Sequence, residues 1–287
     1  MNVFKLLICD TKEGIFKNKR FISAPLISIF VCMSAHINIV FYKDMLDGTT
    51  APTIFNLLLQ SFRGCDPLSK IREMHAPIPY MWLAIFIFSL FTVFDYAYDD
   101  ISNFGMQIIS RTGNRVSWWY SKCLWAVLSG VYYYTLFIIT SIIFTLFNEY
   151  NVSFRDNIIL SDLLGNCSVY YTYKGAETVK GIDLLMFIIS PLAVICTLNV
   201  LQMTISLIIK PIYSFFLSLG ILLLSAFVDW VIAFPRTAML PFTSHYQMNG
   251  YNMKIGLLIC GIVLILSVMV GRIWFKRYDV LPSKNEV

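Results

Sequence analysis

Six long apolar runs constrain this chain more than any other feature. They cover residues 21–42, 78–98, 119–147, 184–209, 211–234 and 254–275. A helix of about 20 apolar residues crosses the hydrocarbon core of a bilayer, and a helix satisfies its own backbone hydrogen bonds there. We therefore predict an all-α integral membrane protein with six transmembrane helices, in which residues 1–287 form a single transmembrane domain.

The composition supports lipid rather than water as the solvent and excludes several classes of protein. The 287 residues are 57% hydrophobic and 14% charged, whereas soluble domains average about 25% charged residues. The net charge of +5 comes without a Lys/Arg stripe, so we expect no nucleic-acid partner. The seven cysteines and three histidines follow no metal-ligand spacing, so we predict no metal site.

The distribution of Lys and Arg predicts the orientation in the membrane. With the N-terminus in the cytoplasm, thirteen of the 22 basic residues fall on the inner side, where they are also denser. Short basic loops are retained in the cytoplasm, so both termini are predicted to be cytoplasmic. Residues 43–77, 148–183 and 235–254 then lie outside. The apolar run Val3–Cys9 is too short for a span, and no cleavage site follows it, so we expect the first span to be retained.

The segment after the second run has the features of a helix on the membrane surface. It begins after three aspartates, Asp95, Asp99 and Asp100. An aspartate at mid-bilayer is costly, which places these three near the cytoplasmic surface. In residues 101–110, Phe104, Ile108 and Ile109 share one side of a helix, with polar residues on the other sides. This pattern favours a short helix lying across the interface.

The next residues, 111–123, read RTGNRVSWWYSKC and carry three basic and three aromatic side chains. One interpretation is a charged cytoplasmic loop with an interfacial aromatic belt, from which Lys122 snorkels to water. The other is a docking element, held against the membrane to receive a soluble partner. The residues alone leave both open.

Two stretches resemble one family of membrane proteins. LLICDTKEGIFKNKRFISAPLI, residues 6–27, is similar to the amphipathic elbow helix and first span of type-2 ABC exporter permeases. FGMQIISRTGNRVSWWYSKCLW, residues 104–125, is similar to the segment between the second and third spans of firmicute members, which carry a G-x-Q-x-x-x-R and R-x-x-W-W-x-S-K-x-x-W pattern. The resemblance is specific over these stretches and otherwise rests on the six-span layout.

The resemblance implies different roles for three segments of the chain. Residues 1–20 would form the elbow helix. The predicted functional residues of this helix are Phe4, Leu7, Phe16, Lys19 and Arg20. The segment between spans two and three would be a cytoplasmic coupling helix that contacts an ATPase through Gly105, Gln107, Ile108, Ile109, Arg111 and Arg115. Residues 234–252 would hold short helices that cap the exit on the outer side.

The family also implies partners. This chain has no G-x-x-x-x-G-K-[ST] phosphate loop and no catalytic motif, so we expect no enzyme activity and no cofactor in it. ATP and Mg²⁺ would be bound by a separate ATPase subunit, present in two copies, and a second permease, identical or homologous, would complete the path. The expected location is a bacterial plasma membrane. The expected cargo is amphipathic or hydrophobic, a class that includes antimicrobial peptides and drugs.

Two alternatives stay open. A membrane sensor or scaffold would bind an ATPase without transporting anything. A membrane-embedded enzyme would need converging catalytic groups at one depth, for which the aspartates Asp95, Asp99 and Asp100 are the candidate cluster.

A few isolated residues carry further predictions. Cys65 and Cys167 lie in predicted outer segments and are a candidate disulfide, whose geometry the sequence leaves open. Asn199, Gln202 and Thr204 lie within the fourth span. We predict that they form hydrogen bonds between helices.

Overall fold

The computed structural model describes residues 3–45, 51–66, 78–101, 115–154, 160–161, 164, 174, 181–228 and 233–277. Within these residues the regular structure is helical, and the bridges outside helices are the isolated pairs Thr53–Asn151 and Thr243–Tyr251. The predicted all-α class is confirmed for the described part of the chain.

The helices follow the apolar runs closely. The described α-helices are numbered in chain order as α1 Val3–Thr11, α2 Ser23–Met45, α3 Ile54–Ser61, α4 Tyr80–Thr92, α5 Tyr96–Asp100, α6 Arg115–Phe147, α7 Ile182–Ile208, α8 Pro211–Phe227 and α9 Met253–Arg277. Between α1 and α2 the chain forms a π-type turn, Lys12–Phe16, and a 3-10 turn, Lys19–Ile22.

Five segments are long and apolar enough to cross a membrane. They are Lys19–Lys43, Tyr80–Asp100, Arg115–Phe147, Ile182–Ile208 and Met253–Lys276. The remaining predicted span corresponds to α8, whose 17 residues extend roughly 25 Å. That is short of a hydrocarbon core of about 30 Å, and residues 229–232 beyond it are not described. The chain is thus a membrane protein with several apolar helices, five of them of spanning length among the described residues.

Helix α7 is the centre of the bundle, packing against α4, α6, α8 and α9. Gln202 Nε2 donates to the carbonyl of Leu90 in α4 at 3.1 Å, and Thr204 Oγ1 donates to the carbonyl of Ser267 in α9 at 3.3 Å. The Oδ1 atom of Asn199 accepts from a serine of α4 at 3.2 Å. The predicted interhelical hydrogen bonds of these α7 side chains are therefore confirmed.

The contact between α6 and α9 depends on a glycine. Trp119 Nε1 donates to the carbonyl of Val268 at 2.9 Å. One turn further along α9, a Cβ atom added at Gly271 would lie 2.0 Å from Trp119 Cζ2. Only a residue without a side chain lets the indole ring lie this close to the α9 backbone.

Helix α3 was not predicted from the sequence. All eight of its residues are buried, so it shows neither the polar face of a surface helix nor the length of a span. A capping box begins it, because Thr53 N donates to Asn56 Oδ1 at 3.1 Å and Asn56 N donates to Thr53 Oγ1 at 3.4 Å. Asn56 Nδ2 also donates to Ser161 Oγ at 2.8 Å, which ties α3 to the segment after α6.

The segment before α9 contains short helices, as predicted. These are the buried 3-10 turns Phe234–Ala238 and Leu240–Phe242. Arg236 is fully buried within the first of them, and its guanidinium carbon lies 4.6 Å from the centre of the Tyr251 ring. This segment packs on α7, α8 and α9 and closes the end of the bundle opposite α1.

Candidate functional site

The N-terminal helix α1 presents a carboxylate to the interior of the protein. Leu6 and Asp10, four residues apart, are its buried side chains, whereas Phe4 and Ile8 are exposed. Residues at this spacing share one helical face. Helix α1 therefore packs on α6 with Asp10 facing inward, and it leaves an apolar face outside.

Lys122 of α6 meets this carboxylate. Its side chain is only 1% exposed, and its Nζ atom lies 2.5 Å from Asp10 Oδ1 and 2.8 Å from Asp100 Oδ2. We call Asp10, Asp100 and Lys122 the base cluster. The prediction that Lys122 snorkels to water is wrong, because two carboxylates from α1 and α5 neutralise its charge inside the protein. The cluster joins α1, α5 and α6.

Polar neighbours complete the hydrogen bonding of the base cluster. Ser121 Oγ donates to Asp10 Oδ2 at 2.8 Å, and Tyr96 OH donates to Asp10 Oδ1 at 3.2 Å. Trp118 Nε1 donates to Asp100 Oδ2 at 2.9 Å. Buried charges are stable only when paired and hydrogen-bonded, and these contacts meet that condition.

Aromatic rings enclose the lysine and connect it to the other helices. Lys122 Nζ lies 4.7 Å from the centre of the Tyr96 ring, a cation–π distance. Tyr96 in turn stacks on Trp125 with ring centres 4.1 Å apart. Trp118 stacks on Phe275 at 4.8 Å, which brings the end of α9 to the same cluster.

A second ion pair joins the 3-10 turn before α2 to the residue that precedes α5. Arg20 and Asp95 form a bidentate ion pair, in which Arg20 Nη2 donates to Asp95 Oδ2 at 2.7 Å and Arg20 Nη1 donates to Asp95 Oδ1. The guanidinium carbon also lies 5.4 Å from the centre of the Phe91 ring. The Oδ1 atom of Asn18 accepts from Arg20 N at 3.0 Å, which fixes the turn that presents the arginine. Bidentate Arg–carboxylate pairs are the geometrically specific kind.

The two ion pairs border a cavity of about 600 Å³ at this end of the bundle. Five carboxylates and two cations line it, and its lining residues are Leu6, Cys9, Asp10, Glu13, Asn18, Arg20, Asp95, Tyr96, Asp99, Asp100, Trp118 and Lys122. The excess of carboxylates gives the cavity a negative potential, which attracts cationic groups.

None of the predicted elbow residues belongs to the base cluster, and Arg20 is the one among them that lines the adjoining cavity. Phe4, Phe16 and Lys19 are exposed, Leu7 packs against the core, and Arg20 forms the ion pair described above. Their positions suit a helix that borders both lipid and the bundle; a role as an elbow stays a prediction.

The predicted coupling residues fall mostly outside the described part of the chain. Gly105, Gln107, Ile108, Ile109 and Arg111 are not described, and Arg115 is the first residue of α6. What the structure does describe is the chain on both sides of residues 102–114. Asp100 lies just before this segment, and Lys122 lies about two turns into α6, which begins directly after it. Lys122 bonds both to Asp100 and to Asp10 of α1.

Sequence reasoning missed the base cluster. Asp10 and Lys122 are 112 residues apart, so no local pattern links them. One signal was present, since Asp10 lies four residues after Leu6 on the face that an amphipathic helix would bury. Within the described residues, no group of three His, Cys, Asp or Glu side chains is placed to hold a metal ion. In the base cluster, Lys122 neutralises the charges of Asp10 and Asp100 and so joins α6 to α1 and α5.

Cys65 is a buried free thiol after α3, and its candidate partner Cys167 lies outside the described residues. Burial raises the pKa of the Cys65 thiol to about 11, and its Sγ atom donates to the carbonyl of Ala226 at 3.3 Å. At pH 8 its reactive thiolate fraction is therefore small.

We expect maleimide at pH 8 to modify Cys65 roughly 100-fold more slowly than an exposed thiol, because the thiolate is the nucleophile. Cys9, which is exposed, is the internal control in the same sample. Peptide mass spectrometry before and after reduction measures both rates. A reduction-dependent Cys65–Cys167 peptide would show instead that the predicted disulfide forms.

No protein-family model and no curated protein matches this sequence.

Proposed function

We propose that this chain is the permease subunit of an ATP-binding-cassette exporter. In this proposal α8 serves as the fifth of six spans, residues 105–115 form the coupling helix, and both termini are cytoplasmic. A separate ATPase, in two copies, binds ATP and Mg²⁺, and a second permease completes the path for an amphipathic or hydrophobic cargo. The resemblance of residues 6–27 and 104–125 supports the assignment.

The base cluster is the observation that carries this proposal. A segment that transmits movement from a soluble motor must be attached rigidly at both ends, because a compliant attachment would absorb the displacement. Asp100 before residues 102–114 and Lys122 after them are joined to one another and to Asp10 of α1. The aromatic stack of Trp118 on Phe275 extends this attachment to α9.

The electrostatics of the same end favour a basic partner surface. The cavity beside the base cluster carries five carboxylates and two cations, so a neighbouring subunit with Lys or Arg residues would be attracted to it. The ATPase surface that receives this end of the bundle is therefore expected to be basic around its groove, and complex formation is expected to weaken as ionic strength rises.

Site-specific photo-crosslinking in cells tests the assignment. A photoreactive amino acid at Ile109, within the proposed coupling helix, is expected to capture a protein that contains a G-x-x-x-x-G-K-[ST] phosphate loop. The control position is Leu258, an exposed residue of the apolar spanning segment Met253–Lys276. If Ile109 and Leu258 give the same products, or Ile109 gives lipid products alone, the coupling helix is contradicted.

Flux measurements separate transport from a scaffold role. The purified complex in proteoliposomes is expected to move an amphipathic fluorescent peptide only when hydrolysable ATP is present. A complex that binds the ATPase but shows no ATP-dependent flux with any amphipathic probe would favour the sensor or scaffold alternative.

A further inference from the structure

A second cavity lies at the opposite end of the bundle, between the end of α3 and the start of α4. It measures about 250 Å³. Its lining residues are Asn38, Gln60, Arg63, Gly64, Cys65, Asp66, Ile78, Pro79, Tyr80, Met81 and Phe242. No residue of the base cluster lines it, so it is a separate site.

Gln60 presents an unusual polar group to this cavity. The residue is 1% exposed, and within the part of the chain that the structure describes neither Nε2 nor Oε1 has a hydrogen-bond partner. A buried amide without partners costs folding free energy that a leucine of similar size would not cost. Both atoms of the Gln60 carboxamide are therefore free to form hydrogen bonds with a molecule bound in the cavity.

Arg63, one helical turn after Gln60, adds a charge to the same cavity. It is partly buried, its backbone N–H donates to the carbonyl of Gln60 at 3.1 Å, and within the described residues its guanidinium makes no hydrogen bond or ion pair. Asp66 contributes a carboxylate to the lining. The cavity thus offers guanidinium and amide donors and an amide acceptor, with one carboxylate in its lining.

The rim of the cavity is apolar and open. Ile78 is 63% exposed and Tyr80 is 50% exposed, at the position where the chain enters the spanning segment Tyr80–Asp100. An occupant can therefore place a polar group inside while its hydrocarbon part lies along α4 in the bilayer. A volume of about 250 Å³ is below the roughly 300–1,000 Å³ of drug-sized pockets and suits a head group alone.

We propose that this cavity binds the phosphoethanolamine head group of a membrane phospholipid. The phosphate accepts from the guanidinium of Arg63 and from Gln60 Nε2, and the primary ammonium donates to Gln60 Oε1. Charge-assisted hydrogen bonds of this kind are the stronger class. The site is independent of the proposed export function, and the N–H groups of the ammonium distinguish this head group from choline.

The test uses the full chain purified in lipid-free detergent. Phosphatidylethanolamine, phosphatidylcholine, phosphatidylglycerol or soluble phosphoethanolamine is added, and binding is measured by native mass spectrometry and by the shift in melting temperature. The variants are Gln60→Leu and Arg63→Ala. The control is Lys254→Ala, which removes an exposed positive charge from the start of α9.

We expect phosphatidylethanolamine to bind at least about tenfold more tightly than the other additives, and each cavity variant to weaken it by about tenfold or more, since one charge-assisted hydrogen bond has that value. Gln60→Leu is expected to keep or raise the melting temperature without lipid, which a merely structural glutamine would not do. The control binds like the natural protein.

Three results would overturn the proposal. One is equal binding of all the phospholipids. Another is equal binding of soluble phosphoethanolamine, which would make the ligand a free zwitterion. The third is unchanged binding of phosphatidylethanolamine by both cavity variants.

Discussion

Lys122→Met is expected to lower the free energy of unfolding by roughly 3–5 kcal/mol, the usual loss when one partner of a buried ion pair is removed. The variant leaves the buried Asp10 and the partly buried Asp100 without the cation that neutralises both of them. Two facing carboxylates would then repel each other in a medium of low dielectric constant. Thermal unfolding of the detergent-purified protein measures the loss.

Two further variants serve as controls, one at an exposed ion pair elsewhere and one that removes all the charges of the base cluster together. Lys17→Met removes an exposed ion pair with Glu13 and is expected to cost at most about 0.5 kcal/mol. The triple change Asp10→Asn, Asp100→Asn and Lys122→Met removes the charges together and is expected to recover most of the lost stability. A Lys122→Met protein as stable as Lys17→Met would show that the base cluster does not hold α1 to the bundle.

Gly271→Leu is expected to separate α9 from α6. A Cβ atom at this position would lie 2.0 Å from Trp119 Cζ2, so the indole ring or the helix must move. Overpacking of this kind costs about 1–3 kcal/mol, and the hydrogen bond from Trp119 Nε1 to the carbonyl of Val268 would be strained as well. We expect a lower melting temperature and a red-shifted tryptophan emission from the loosened contact.

Gly261→Leu, on the same helix, is the matched control. A Cβ atom at Gly261 meets nothing within 4 Å, and the residue is exposed. Both changes gain similar helix propensity over glycine, so a difference between them reports on packing alone. Equal melting temperatures for the two variants would contradict the close approach of α9 to Trp119.

The long helices were predictable because lipid sets their length and composition. The run 184–209 corresponds to α7, Ile182–Ile208, and the run 254–275 lies inside α9, Met253–Arg277. Hydropathy could not find α3, Ile54–Ser61, because it is too short to span and is buried on all sides. Its burial depends on neighbours that come from other parts of the chain.

The candidate site was predictable only in its location. The sequence pointed to the segment between the second and third spans. The structure places the partly buried Asp100 just before it and the buried Lys122 about two turns into the helix that follows. Hydropathy treats Lys122 as an unpaired charge that must reach water, whereas tertiary structure supplies Asp10 and Asp100 as partners. Pairing across 112 residues is a property of the fold, and a single sequence carries no pattern that reveals it.

Asp95, Asp99 and Asp100 illustrate the same limit. The sequence grouped them as one carboxylate cluster at the membrane surface. In the structure Asp95 pairs with Arg20 and Asp100 pairs with Lys122, and both accept from side chains of different helices. Asp95 and Asp100 are five residues apart at the two ends of α5, and they face different partners. Asp99 lines the cavity between them.

We expect this chain to work with a separate ATPase, and co-purification with an activity assay tests that expectation. The tagged chain is purified in mild detergent from its native membrane, and the eluate is assayed for ATP hydrolysis and analysed by mass spectrometry. The comparison is a variant with both Gln107→Ala and Arg111→Ala. We predict that an ATP-binding-cassette ATPase co-purifies with the natural chain and is lost or uncoupled in the variant. Absence of any ATPase in several mild detergents, from membranes in which the chain itself is intact, would contradict the account.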